Sequence, residues 1–156
     1  MSVFEKASLS WTIPWDDGAV TTVSFLGSAR KLAAGNDQGQ IYLFDLAEKL
    51  DGFSFFLVRR LDGHTNAVTS LALVPGAGRL VSASYDHTIR WWDLAAPGEG
   101  SASVVLDRKS REAAAKKSGK AAVEAPGVRV ELQKTARVTE AHQEWVRSLS
   151  LGSEGK

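Results

Sequence analysis

The sequence contains no cysteine among its 156 residues. This absence excludes a disulfide framework, a thiol nucleophile and a thiolate metal site. Long apolar runs are also missing, because no stretch approaches the roughly 18 apolar residues that span a bilayer. The N-terminus lacks the basic start and apolar core of a secretory signal. Together these absences favour a cytoplasmic protein with no membrane partner.

An excess of charge of one sign is absent as well, since 19 basic residues nearly cancel 18 acidic ones. No global field therefore attracts nucleic acid or an anionic membrane. The composition, 44% hydrophobic and 24% charged, suits one folded domain. His64, His87 and His142 stand at no metal-ligand spacing, and no glycine-rich phosphate loop is present. We expect no metal and no cofactor.

Residues 61–94 carry the strongest pattern in the chain. The stretch opens on Gly63-His64 and closes on Trp92-Asp93. Three short runs rich in β-branched or aliphatic residues lie between these ends, at 67–73, 79–84 and 88–94. Turn-forming residues separate the runs. Short strands joined by tight turns predict an antiparallel meander.

The same pattern recurs at two offsets. A shift of 48 residues places it on residues 16–46 without a gap, so that Ile41 falls on Ile89. That shift also predicts an earlier strand at residues 8–13. A shift of 78 residues places Val146 on Val68 and predicts the first strand of a third copy within 141–156. We therefore expect two complete units, at 19–61 and 67–140, and the start of a third.

An insertion at about residues 96–134 accounts for the larger offset. Its segment 107–120 holds six basic residues against two acidic ones: Arg108, Lys109, Arg111, Lys116, Lys117 and Lys120. Glu112 and Lys116 form an i,i+4 pair in a helix-favouring stretch that Ser118-Gly119 should end. Residues 128–132 alternate like an exposed strand. We expect a solvated excursion; the alternative is a basic arm that contacts nucleic acid or an acidic partner.

The Gly-His start, the Trp-Asp end and their separation resemble a WD40 repeat, the unit of a β-propeller. The resemblance covers residues 8–156 apart from the insertion. It implies an all-β chain of propeller blades, each a four-stranded antiparallel meander. Because a propeller typically needs about 4–8 blades, we expect a truncated or incomplete propeller. The missing blades would come from a longer parent chain, a partner or self-association.

The resemblance also implies a buried, hydrogen-bonded structural tetrad of His64, Ser82, Asp86 and Trp92 in the second unit. The same residue types occur in hydrolytic triads. A network in which every polar group has a partner leaves the serine hydroxyl unavailable, so we expect no catalytic residue. The hydrolase alternative requires an accessible Ser82. The first unit lacks these residue types at the matching positions, so we expect apolar packing alone to hold it.

Partner contacts are expected, by the same resemblance, on the narrow face near the propeller axis. The positions carried over to this sequence are Thr21, Asp37, Thr69, Tyr85, Trp145 and Arg147. Trp, Tyr and Arg are enriched at binding hot spots. We therefore expect a non-catalytic scaffold that binds protein partners. The alternative is a nucleic-acid-associated module acting through residues 107–120, whose binding would weaken steeply with salt.

Overall fold

The computed structural model describes residues 12–28, 30–49, 52–119, 127–139 and 142–152. Within these ranges the chain forms ten strands and one helix. In chain order they are β1 (Val20–Phe25), β2 (Lys31–Asn36), β3 (Gln40–Lys49), β4 (Gly52–Asp62), β5 (Val68–Val74), β6 (Arg79–Ser84), β7 (Ile89–Asp93), β8 (Gly100–Val104), α1 (Arg108–Ser118), β9 (Val128–Gln133) and β10 (Arg137–Thr139). The expected all-β class is confirmed.

Strands β1 to β4 form the first blade, an antiparallel meander in which each strand pairs with the next. The turn between β2 and β3 closes at Gly39, whose φ is 87°. A side chain at this position would collide with the carbonyl group of His64. The turn therefore needs glycine both for its backbone conformation and for its close approach to the second blade.

Strands β5, β6, β7 and β10 form the second blade, in the spatial order β10-β7-β6-β5. All neighbours in this sheet are antiparallel. The three inner strands lie on the runs predicted from the sequence. The outermost strand, β10, follows β7 in this sheet but is separated from it in sequence by the insertion.

The insertion is not the solvated excursion that its sequence predicts. Strands β8 and β9 form an antiparallel pair that is connected through α1 and is called the inserted hairpin below. Strand β9 also pairs in parallel with β4. The first blade thereby becomes a six-stranded sheet in the order β1-β2-β3-β4-β9-β8. The alternating segment 128–132 therefore lies inside a sheet. Its Val130 is only 3% exposed, because the apolar side of the alternation packs on the first blade.

Helix α1 confirms the helix predicted around Glu112 and Lys116. It ends at Ser118, where the sequence predicts its end. Gly119 follows in the left-handed conformation with φ 65° and donates its N–H to the Ala115 carbonyl. Glycine takes this conformation without a Cβ clash, which explains the stop.

The strands predicted at the two ends of the chain differ from the structure. Residues 145–151, expected to be the inner strand of a third blade, form no strand although they lie along β5. The Thr69 hydroxyl donates to the Val146 carbonyl at 2.5 Å, and a contact to a side chain builds no backbone ladder. The strand predicted at residues 8–13 falls largely outside the described residues, and residues 12–13 are not in a strand.

Two apolar clusters lie on opposite faces of the first blade. The interblade cluster contains Ala33, Ile41, Leu43 and Leu61 of the first blade and Val68, Leu71, Leu80 and Trp92 of the second. The outer cluster contains Ala34, Tyr42, Phe44, Leu46 and Leu57 together with Val104 and Val130 of the insertion. The two blades therefore pack face to face. Across the described residues they close no ring, as expected for an incomplete propeller.

Candidate functional site

Four side chains meet inside the second blade. His64 precedes β5, Ser82 lies in β6, Asp86 lies in the β6–β7 turn and Trp92 lies in β7. The Trp92 Nε1–H donates to the Ser82 Oγ at 2.8 Å, and the same Oγ lies 2.7 Å from His64 Nε2. His64 Nδ1 lies 2.8 Å from Asp86 Oδ2. The structure thus brings together all four residues of the predicted tetrad.

The proton positions in this chain follow from what each group can donate. The Asp86 carboxylate can only accept, so the His64 Nδ1 must carry the proton between them. The His64 Nε2 is then an acceptor and receives the Ser82 hydroxyl proton. The Ser82 oxygen, in turn, receives the Trp92 indole N–H. Every donor in this series of hydrogen bonds has an acceptor only while the His64 imidazole is neutral.

Asp86 is held by three further donors. Its Oδ1 accepts the Thr88 N–H at 3.0 Å and the Thr88 hydroxyl at 2.7 Å, while its Oδ2 also accepts the Thr65 N–H at 3.0 Å. Burial raises the pKa of Asp86, but the hydrogen bonds from Thr88 and His64 outweigh that effect and lower the pKa below its ordinary value. Asp86 is therefore a fixed carboxylate with both oxygens occupied.

The His64–Ser82 pair is closed to substrates. Ser82 is 0% exposed, and the side chains of His64 and Asp86 are 0% and 4% exposed. Burial lowers the pKa of His64 and outweighs the opposing attraction of Asp86, which keeps the ring neutral. A serine hydroxyl without accessible surface cannot attack a substrate, so the hydrolase alternative is wrong.

Comparison with known proteins assigns this part of the chain. Residues 55–93 match the family model of the WD domain, G-beta repeat. These residues are a WD40 repeat. The matched range runs from β4 to the end of β7 and so contains every member of the tetrad.

This chain matches similar proteins over part of their length. Denticleless protein homolog B of Xenopus laevis is 37% identical over 70 residues, which are 45% of this chain and 10% of that protein. The target of rapamycin complex subunit LST8 of Saccharomyces cerevisiae is 27% identical over 81 residues, 52% of this chain and 27% of that protein. The Cps50 (Swd1) β-propeller domain of Myceliophteria thermophila has a TM-score of 0.45 at 28% identity, over 54% of this chain and 25% of that one. The chain thus spans about a tenth of the length of the Denticleless protein.

The first blade holds a polar network that sequence analysis missed. Asn36, which is 0% exposed, donates to the Asp17 carbonyl at 2.7 Å and to Gln40 Oε1 at 2.8 Å. The buried Tyr42 hydroxyl donates to the Asp17 carboxylate, and burial followed by this contact raises the pKa of Tyr42. The expectation that apolar packing alone holds this blade is therefore wrong. The available signal was the pair Asn36 and Gln40 flanking a tight turn, where Asn side chains bond nearby backbone groups.

Two predicted partner-binding residues lie at junctions between copies of the repeat. The Thr21 hydroxyl donates to the Val68 carbonyl at 2.5 Å, and the Thr69 hydroxyl makes the same bond to Val146 at 2.5 Å. Thr21 and Thr69 are equivalent under the 48-residue shift, so the junction contact repeats along the chain. Asp37, also predicted for partner binding, is exposed and accepts the Ala19 N–H at 3.0 Å.

The remaining three predicted residues form one surface group, the Trp145 cluster of Tyr85, Trp145 and Arg147. The Tyr85 and Trp145 rings are 5.0 Å apart at 41°, and the Arg147 guanidinium carbon lies 5.9 Å from the Trp145 ring centroid. Trp145 is 54% exposed. A cleft of about 470 Å³ borders the cluster and is lined by Thr65, Asn66, Tyr85, Asp86, His87, Thr88 and His142.

The remaining candidate sites are a metal centre, a membrane-spanning helix and the basic segment 107–120. Over the described ranges, no three His, Asp or Glu side chains converge as metal ligands, and no helix is long and apolar enough to cross a membrane. Arg108, Lys109, Lys116 and Lys117 are exposed on α1. Lys120 lies outside the described residues, as does the side chain of Arg111.

Proposed function

We propose that the chain is a non-catalytic protein-interaction scaffold and that the Trp145 cluster is its contact surface. The observation that carries this proposal is an exposed tryptophan that contacts Tyr85 and Arg147 at the surface rather than packing in a core. A rigid aromatic ring offers a large contact area at a low cost in conformational entropy. Trp, Tyr and Arg also dominate the energetics of known interfaces.

Hydrogen bonds of the surrounding backbone fix the residues next to the Trp145 cluster. The Tyr85 N–H donates to the Ala67 carbonyl at 3.1 Å, and the neighbouring Asp86 is fixed by the tetrad. On the other side, Val146 is 7% exposed and its carbonyl accepts the Thr69 hydroxyl. Each aromatic residue of the cluster thus neighbours a fixed residue. Such preorganisation favours binding because less motion is lost when a partner docks.

The chemistry of the cluster favours a partner segment that carries a carboxylate beside an apolar side chain. The Arg147 guanidinium carbon lies 5.9 Å from the Trp145 ring centroid, and the N–H groups of a guanidinium beside an aromatic ring can bind a carboxylate in bidentate fashion. The aromatic faces would cover the apolar neighbour. Among the similar proteins, LST8 is named as a subunit of a complex, which supports a role in assembly.

A capture experiment tests this function. The tagged chain would be incubated with a nuclease-treated lysate of the source organism, and bound proteins would be identified by mass spectrometry. The Trp145→Ala variant should lose the specific partner, because the main anchor is gone. The Lys116→Glu/Lys117→Glu variant is the matched control on α1 and should retain it.

Salt separates the scaffold from the nucleic-acid alternative. If α1 bound nucleic acid through about four phosphate contacts, a tenfold rise in salt would weaken binding by roughly 10³–10⁴-fold. A protein partner held by the Trp145 cluster should lose far less. The same capture from an untreated lysate supplies the opposing outcome. Capture that occurs only without nuclease, needs Lys116 and Lys117 and is unchanged by Trp145→Ala would refute the scaffold proposal.

A further inference from the structure

The path of the chain links the two blades in an unusual way. After β7 of the second blade, the chain crosses to the first blade and adds β8 and β9 to its sheet. It then returns and completes the second blade as β10, which pairs with β7. The insertion therefore joins the first blade through its strands β8 and β9. It joins the second blade at both of its ends, because it follows β7 and precedes β10.

Arg59 lies where these paths meet. Its side chain, 14% exposed, contacts Glu131 of β9 through Nε at 2.8 Å and through Nη2 at 2.6 Å. Its Nη1 donates to Gln133 Oε1 at 3.0 Å, to the Leu94 carbonyl at 3.2 Å and to the Ala96 carbonyl at 3.1 Å. One guanidinium of the first blade thus holds both the insertion and the chain leaving the second blade.

The two residues that face Arg59 are also fixed by the chain around them. The Glu131 carboxylate accepts the Gly98 N–H, and this bond, together with Arg59, keeps the pKa of Glu131 below its ordinary value despite some burial. Gln133 is 2% exposed, and its Nε2 donates to the Asp93 carbonyl at 3.1 Å. These contacts again join β9 to the end of β7.

Apolar packing holds the inserted hairpin against the first blade. Val104 and Val130 are each 3% exposed and belong to the outer cluster with Phe44 and Leu57. Burial of two such side chains is a stabilisation that a surface excursion lacks. The hairpin is therefore part of the first blade's core, whereas α1 projects exposed basic side chains.

We propose that the insertion is an interblade clasp, in which β9 and the Arg59–Glu131–Gln133 contacts lock the two blades into one cooperative unit. In this two-blade unit the clasp adds a further connection to the interblade cluster and the Thr21–Val68 hydrogen bond. Breaking the clasp should loosen both the β4–β9 pairing and the segment between β7 and β8. It should not affect α1, which makes no part of it.

Hydrogen exchange on the intact chain, read by mass spectrometry, tests the clasp. In the unsubstituted chain the amides of β9 should exchange as slowly as those of β4 and more slowly than those of α1. The Glu131→Gln variant keeps the shape of the side chain and removes its charge. It should speed exchange roughly tenfold or more in both β9 and residues 94–99, since loss of local contacts raises the population of locally open states.

The matched control is Glu112→Gln on α1, where Glu112 is exposed; it should leave exchange in β9 and residues 94–99 unchanged. Two results would overturn the clasp. One is β9 exchanging as fast as α1 in the unsubstituted chain, a comparison that needs no variant to fold. The other is Glu131→Gln speeding exchange in β9 alone, which would mean that the hairpin belongs to the first blade without coupling it to the second.

Discussion

Replacing Ser82 by alanine tests the hydrogen-bond chain of the second blade most severely. Ser82 is 0% exposed and stands between two partners, the Trp92 Nε1 at 2.8 Å and the His64 Nε2 at 2.7 Å. Alanine fits the space but neither accepts nor donates. Both partners are buried, so no water replaces the missing hydroxyl, and both lose their hydrogen bond at once.

The expected magnitude follows from counting orphaned groups. A buried donor or acceptor without a partner costs about 1–3 kcal/mol, so two of them predict a loss of roughly 2–6 kcal/mol in the free energy of unfolding. For a chain of this size each kcal/mol lowers Tm by about 2–4 °C. The control is Ser101→Ala on the exposed side of β8, which should stay within about 0.5 kcal/mol of the parent.

Urea unfolding followed by tryptophan fluorescence measures this difference directly. The midpoint should fall while the slope with denaturant stays the same, because the folded and unfolded states keep their surface areas. If Ser82→Ala unfolds at the same urea concentration as Ser101→Ala, the Ser82 hydroxyl is not a structural link. The tetrad would then have no part in holding the blade.

Three further predictions concern stability. The free energy of unfolding should fall as pH drops below the ordinary His pKa of 6.5, because the folded-state pKa of His64 is lowered and the unfolded chain therefore binds more protons in that window. The His142→Asn variant should show the same dependence of stability on pH. A free energy of unfolding that does not change with pH in this window would contradict the buried neutral ring. Gly35→Ala should cost about 1–3 kcal/mol, because its Cβ would lie 2.9 Å from the Val68 Cβ, whereas Gly100→Ala, which meets nothing within 4 Å, should not; equal thermal melts would refute the tight interblade contact. Tyr42→Phe should lose about 1.5–3 kcal/mol with its bond to a carboxylate, while Tyr85→Phe at the surface should change little, and urea midpoints that coincide would dismiss the polar network of the first blade.

The blades themselves were predictable because their signals are local or repeated. The 48-residue shift pairs Ile41 with Ile89 and places both in third strands, where the structure has β3 and β7. The Gly-His and Trp-Asp ends likewise pointed to His64, Ser82, Asp86 and Trp92, which the structure brings into one chain of hydrogen bonds.

The neighbour of β9 was not predictable in the same way. Alternation at residues 128–132 shows that one face is apolar but not which sheet that face meets. The pairing with β4 joins Arg59 to Glu131 across 72 positions, and no local pattern encodes such a contact. The absence of a strand at residues 145–151 is a related case, since strand pairing depends on neighbours rather than on the segment alone.

The polar network of the first blade was missed for a different reason. The 48-residue shift relates each position of the first blade only to its equivalent in the second blade. Asn36 and Tyr42 place their polar groups at other positions of the meander and join them to Asp17 instead. The buried polar groups of the first blade find hydrogen-bond partners at positions that differ from those of the tetrad, so a search for the tetrad residues alone does not find them.

The protonation state of His64, read by ¹⁵N NMR and assigned by loss of the signal in His64→Gln, is the most direct test of the buried hydrogen-bond chain. The buried hydrogen-bond chain predicts a neutral ring with its proton on Nδ1, protected from exchange and still neutral below its ordinary pKa of 6.5. A ring that carries its proton on Nε2, or that becomes charged at the ordinary pKa with rapid exchange, would contradict the tetrad and with it the rigid blade that presents the Trp145 cluster.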